Sequence, residues 1–147
     1  MKKLLFSLAI VGLGFVMSNA NAQEVTSGAQ IDFKKEVHDY GTIEQGADGT
    51  CEFEFKNTGT APLIIQTAKG SCGCTVPSYP KEPIAPGASA TIKVKYDTNR
   101  VGPINKSVTI TSNASNEPTK VIRIKGNVNA APQGGAPVNN AGAPNAN

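Results

Sequence analysis

The chain has 147 residues, of which 39% are hydrophobic and 17% charged, with three Cys, one His, no Trp and a formal net charge of +3. That length suits one small domain rather than several. The weak positive balance excludes the electrostatic footprint of a nucleic-acid or anionic-membrane binder.

The first segment, residues 1–22, reads as a signal peptide. Lys2 and Lys3 supply a positive start, a short apolar stretch runs from Leu4 to Met17, and Ala20-Asn21-Ala22 fits the small-x-small cleavage rule. The apolar run falls short of the ~20 residues that a spanning helix needs. Cleavage would start the mature chain at Gln23 and remove both methionines, Met1 and Met17. Removing Lys2 and Lys3 from 14 basic residues leaves 12 against 11 acidic ones, close to +1. The expected location is secreted: periplasmic, or extracellular and outer-membrane associated. No second apolar segment follows, so no transmembrane segment is expected after cleavage.

Residues 23–129 read as strands throughout. In Thr50-Cys51-Glu52-Phe53-Glu54-Phe55-Lys56 the apolar side chains alternate with charged ones, and Ala90-Thr91-Ile92-Lys93-Val94-Lys95-Tyr96 repeats the pattern. Val108 with Ile110, and Ile122 with Ile124 and Val128, continue it. A period of two with one apolar face marks half-buried antiparallel strands. Residues 31–37 and 40–43 supply edge pieces, and the continuous run Pro62-Leu63-Ile64-Ile65 reads as a more central strand. Between these runs stand Asn57-Thr58-Gly59, Ala85-Pro86-Gly87 and Arg100-Val101-Gly102-Pro103, all turn chemistry. The expected fold class is all-β, an immunoglobulin-like antiparallel β-sandwich of about seven strands. Pro77, Pro80, Pro83 and Pro86 recur every third residue, the polyproline II period. They read as a stiff crossover that shields a sheet edge, in preference to a ligand for an aromatic groove. Residues 130–147 hold only Ala, Pro, Gly, Asn, Gln and one Val. Such a tail buries too little apolar surface to offset its ordering entropy and is expected to be disordered.

Chemistry concentrates at Ser71-Cys72-Gly73-Cys74-Thr75, where two thiols stand one residue apart in a chain bound for an oxidising compartment. Cys51 lies upstream. Cys51 opens one strand and Cys72 and Cys74 close the next, antiparallel one, so all three are expected at one pole, joined by loops 44–49 and 97–103, with Ser71, Gly73 and Arg100 completing a loop site. Three states are open to the thiols. A Cys72–Cys74 disulfide needs a bend at Gly73 to bring the Cα atoms within ~4.4–6.8 Å, and so small a ring is strained and easily reduced. A bond from Cys51 to Cys72 or Cys74 would be a structural staple worth ~3 kcal/mol. A soft-metal site for copper or zinc would draw on Cys72, Cys74 and Cys51, but this is an incomplete ligand set, with only His38 to add. The spacing also departs from the Cys-x-x-Cys of thiol oxidoreductases.

Other signals of catalysis or cofactor binding are missing. There is no Gly-x-Ser-x-Gly elbow, phosphate loop, dinucleotide fingerprint or His-Glu-x-x-His. Glu52 and Glu54 alternate with core Phe residues and read as a solvated strand face, and His38 reads as a hydrogen-bonded structural group.

The Cys72-Gly73-Cys74 block, followed by Pro80-Lys81-Glu82-Pro83-Ile84-Ala85-Pro86-Gly87, resembles the bacterial domain of unknown function 1573 family. His38-Asp39-Tyr40-Gly41-Thr42-Ile43, Lys56-Asn57-Thr58-Gly59-Thr60-Ala61-Pro62-Leu63 and Ile124-Lys125-Gly126-Asn127-Val128 extend the resemblance over about residues 33–129. It implies a secreted protein of a type common in Bacteroidetes, with an immunoglobulin-like domain similar to those of major sperm protein and Hydin. It implies no activity, and Cys51 is not part of its pattern. The functional expectation is a non-enzymatic binding or structural module of the cell envelope with a protein partner, no nucleic acid and no cofactor. The alternative is a thiol redox or soft-metal handling protein acting through Cys72 and Cys74.

Overall fold

The computed structural model describes residues 28–132, so the signal-peptide segment 1–22 and most of the 130–147 tail lie outside the described residues. Eight strands follow one another: β1 (Ile31–Phe33), β2 (Val37–Glu44), β3 (Thr50–Asn57), β4 (Ile65–Gly70), β5 (Thr75–Ser78), β6 (Ser89–Tyr96), β7 (Gly102–Ser112) and β8 (Thr119–Asn129). They form two four-stranded sheets, ordered β1-β3-β6-β5 and β2-β8-β7-β4. The all-β immunoglobulin-like sandwich is therefore the fold. It has eight strands, and the β2–β8 pair is parallel while the others run antiparallel.

Alternation places the core. Cys51, Phe53 and Phe55 of β3 and Ile92, Val94 and Tyr96 of β6 face inward from the first sheet. Val108 and Ile110 of β7 and Ile122, Ile124 and Val128 of β8 face them from the second. Each large apolar side chain buried this way contributes ~1.5–3 kcal/mol. Glu52 and Lys93, directly opposed on the outer face, pair at 3.2 Å in the solvated role expected of that carboxylate.

The run Pro62-Leu63-Ile64-Ile65 is not a central strand. Ile65 opens β4, which is the edge of its sheet, and Ile64 is 41% exposed. Only Leu63 and Ile65 are buried, because the chain here crosses between sheets, and Leu63 exchanges backbone hydrogen bonds with Ile84 at 2.9 and 2.8 Å. The proline segment begins inside β5, the edge of the first sheet. The Tyr96 N–H donates to Gly49 on the β3 side, so Thr75, opposite Tyr96, points its backbone groups away from β6. Pro77 shares that orientation, and its missing N–H removes a donor from the open edge. Ala85-Pro86-Gly87-Ala88 closes a turn through Ala88 N–H to Ala85 O at 3.0 Å, with Gly87 at φ 79°, a type II arrangement.

Asn57, read from sequence as a turn residue, is fully buried and holds these crossings together. Its Oδ1 accepts from Gln30 N–H at 3.3 Å and Gly59 N–H at 3.0 Å. Its Nδ2 donates to the carbonyls of Ala61 at 2.8 Å and Ile84 at 2.9 Å. Asn57→Ala would leave buried backbone groups unpaired at ~1–3 kcal/mol each. The expected loss is about 3 kcal/mol or more, read as a fall in Tm of more than ~10 °C. Asn113→Ala, which removes bonds from an exposed side chain to Ile64 and Pro62, should cost well under half as much. Equal losses for the two variants would contradict this role of Asn57.

Candidate functional site

The link between β4 and β5 takes the chain from one sheet to the other through only Ser71, Cys72, Gly73 and Cys74. Both ends of this turn are tied down. The Ser71 N–H donates to Ser107 O at 2.8 Å and Ser71 Oγ accepts from Ser107 N–H at 3.2 Å, binding the turn to β7. The Cys74 carbonyl accepts from Asp97 N–H at 2.9 Å, binding it to the end of β6. Within the turn, the Thr75 N–H donates to Cys72 O at 3.2 Å.

This fold-back is tightest at Gly70. A Cβ there would run into the Thr75 carbonyl, so only glycine lets β4 and β5 approach this closely. Gly73, the position expected to require a bend, has an ordinary φ and open space around it. The close approach at Gly70 brings the ends of the turn together, and sequence reasoning missed it.

Within the turn the sulfurs of Cys72 and Cys74 stand at bonding distance, with Cα atoms 5.2 Å apart. Cys74 is 6% exposed and packs into the core, whereas Cys72 is partly exposed. Cys51, on β3 opposite Val94, is unpaired and buried at the same end of the sandwich. Its thiol lies beside the Tyr40 hydroxyl, which donates to Gly49 O at 2.6 Å. Burial pushes the Cys51 thiol's pKa up, against a smaller lowering effect of Tyr40. The Tyr40 phenol is also pushed up, chiefly by burial. A protonated, enclosed Cys51 is a packing group rather than a nucleophile.

Loops 44–49 and 97–101 meet beside the turn. The Gly46 N–H donates to Thr98 O at 3.2 Å, Thr98 Oγ1 to Ala47 O at 2.6 Å, and Gln45 Nε2 to Asn99 O at 3.0 Å. With Gly73, Cys74 and Val76 they enclose an open cleft of about 540 Å³, also lined by Lys95 and Tyr96. Asp48 and Asp97 on its wall are engaged locally: Asp48 Oδ1 accepts from Thr50 N–H at 2.9 Å, and Asp97 Oδ1 from Asn99 N–H at 3.1 Å. Arg100 is exposed, its backbone N–H reaching Asp97 O at 3.3 Å, and it does not line the cleft. Among the described residues no group of three or more His, Cys, Asp or Glu is placed to hold a metal ion. No helix among them is long and apolar enough to cross a membrane.

His38 sits apart from the sulfur pair, on β2. Its ring packs edge-on against Tyr40 at 4.6 Å, and its Nδ1 accepts from Lys35 Nζ at 3.1 Å. Burial, and then the Lys35 ammonium, lower its pKa from the ordinary 6.5.

Two four-stranded sheets in this order define an immunoglobulin-like β-sandwich. The chain belongs to the protein family of unknown function DUF1573, whose model matches residues 31–128. Among solved structures it is similar to a protein of unknown function from Porphyromonas gingivalis W83, with a TM-score of 0.62 and 18% identity over 74% of this chain and 51% of that one. The chain thus spans about half the length of that relative. It is also similar to the ASH/PapD-like domain 7 of human CEP192, with a TM-score of 0.55 and 12% identity over 85% of this chain and 99% of that one. A third likeness, to the secreted serine protease VesC from Vibrio cholerae, has a TM-score of 0.54 and 16% identity, and covers 70% of this chain but 24% of that one. At these identities the likeness is one of fold. No curated protein matches the chain.

Two outcomes check this geometry. Gly70→Ala should destabilise the domain by ~1–3 kcal/mol through forced movement of the Thr75 backbone, while Gly73→Ala should stay within about 0.5 kcal/mol. Urea unfolding compares them, and the reverse order would contradict the fold-back. For His38, the folded chain favours the neutral ring. That contribution to stability is complete above pH 6.5 and is lost as pH falls through the lowered folded-state value. The imidazole NMR titration should therefore have its midpoint below 6.5, and Lys35→Gln should raise it; a midpoint above 6.5 in the native protein would contradict the burial.

Proposed function

We propose that this protein is a secreted binding module of the bacterial cell envelope that engages a protein partner at its cysteine pole. The observation that carries this reading is the 540 Å³ cleft, built by three loops from both sheets and clamped by loop-to-loop hydrogen bonds. Loops held on a rigid sandwich are a common place for recognition, because the scaffold has already met the cost of ordering them. The wall combines an apolar side chain, Val76 at 60% exposure, with Lys95 directly across the ladder and Asp97 beyond it. An apolar contact flanked by opposite charges suits a protein segment better than a small anion or cation. The neighbouring edge of β5 is a poor template for strand addition, since Pro77 offers no N–H and the Thr75 N–H is already bonded to Cys72. Recognition here therefore runs through the side chains of the cleft wall rather than through the backbone of β5.

The secretion reading supports a partner met outside the cytoplasm, since residues 1–22 carry the features of a cleaved leader. A photo-crosslinking amino acid at Val76, compared with one at Thr109 on the opposite sheet, tests the proposal in envelope preparations. A discrete adduct from position 76, abolished by Lys95→Glu and absent from position 109, is the expected result. Identical adducts from both positions, or none from position 76, would overturn it.

A further inference from the structure

The binding reading uses the wall of the cleft but leaves the paired sulfurs without a task. Their surroundings are unequal. Cys72 is partly exposed, and its Sγ accepts from the Cys74 backbone N–H at 3.2 Å and lies 3.6 Å from Thr75 Oγ1. Cys74 is 6% exposed, and its Sγ has only the same hydroxyl, at 3.8 Å. Two nearby donors stabilise negative charge on the Cys72 sulfur, and burial disfavours it on the Cys74 sulfur. The cleft wall beside Cys74 carries two carboxylates, Asp48 and Asp97, against one ammonium, Lys95, an acidic balance that further disfavours negative charge on the Cys74 sulfur; Cys72 does not line the cleft.

We propose that Cys72 and Cys74 form a thiol–disulfide exchange site, with Cys72 as the attacking sulfur and Cys74 as the resolving one. In the reduced protein the Cys72 thiolate attacks one sulfur of a substrate disulfide. A bond forms between Cys72 and that sulfur, the substrate's own sulfur–sulfur bond breaks, and the second substrate sulfur leaves as a thiolate that takes a proton from water. Cys74 then loses its proton to solvent and attacks the Cys72 sulfur. The Cys72–Cys74 bond closes, the first substrate sulfur leaves as a thiolate, and two electrons have passed from the protein to the substrate. An external dithiol, oxidised to its disulfide, returns the pair to the reduced form. The substrate class is a protein disulfide exposed on a loop or tail, since the attacking sulfur lies in a surface turn. Thr75 is a positioning residue, holding its hydroxyl against both sulfurs. Cys51, enclosed beside Tyr40, takes no part.

The test uses the full-length mature protein. A brief, limiting dose of iodoacetamide given to the reduced chain, followed by peptide mass spectrometry, should mark Cys72 before Cys74 and Cys51 last. With oxidised glutathione as probe, Cys74→Ser should form a mixed disulfide at Cys72 at least about tenfold faster than Cys72→Ser forms one at Cys74. Thr75→Val should slow the Cys72 reaction several-fold, and Tm measured alongside separates that effect from loss of fold. Equal rates for the two cysteine variants, labelling of Cys74 ahead of Cys72, or a pair that a millimolar dithiol cannot open in the folded protein would each overturn the proposal. The labelling order is read on the native sequence, so it stands even if one variant fails to fold.

Discussion

The close passage of Gly70 against the Thr75 carbonyl is the constraint on which the cysteine pole depends. The chain must leave one sheet and enter the other within four residues. That is feasible only if β4 and β5 come nearer than any side chain at position 70 permits. Once they do, Ser71 is bound to β7 and Cys74 to the residue after β6, so the turn is gripped from both layers. The two sulfurs then have little freedom in where they point. One is buried in the core and the other is partly exposed, and this asymmetry underlies both the cleft wall and the unequal chemistry of the pair.

A second constraint acts at the opposite side of the same crossings. Asn57 offers two donors and an acceptor with two lone pairs, and the structure uses all four against backbone groups that would otherwise be buried without partners. Its own N–H and C=O bond Ala88 and Gly87. One side chain thus closes the irregular segments 58–64 and 79–88, which lack a continuous ladder of their own. The core supplies most of the gross stabilisation, but it is non-directional. Specific polar closures such as Asn57 decide which way the crossovers run.

Much of the fold was legible because its signal is local. The alternation in Thr50–Asn57 and Ser89–Tyr96 is a property of neighbouring residues, and it correctly assigns which side chains face inward. The turn Ala85-Pro86-Gly87 was readable for the same reason, since proline and glycine fix backbone angles wherever they stand. Pairing between distant segments leaves no such trace. Nothing in Val37–Glu44 announces that it runs parallel to Thr119–Asn129. The apolar run at residues 62–65 looked central because continuity of apolar residues does not distinguish a buried strand from a crossover whose alternate side chains reach solvent.

Site residues divide along the same line. The sequence singled out Cys72 and Cys74 because sulfur is scarce and the two are adjacent. It could not single out Gly70, one of many glycines, or Asn57, which looks like any turn asparagine, because their roles depend on groups brought near by the fold. Arg100 was drawn in by its loop and lies outside the cleft for lack of any contact that turns it inward. The most direct measurement of the account is a thiol count with peptide mapping on the purified, oxidised chain under denaturing, non-reducing conditions. The account predicts one free thiol per molecule, at Cys51, with Cys72 and Cys74 recovered as a bonded pair. A free thiol at Cys72 or Cys74, with Cys51 bonded to the other, would contradict it.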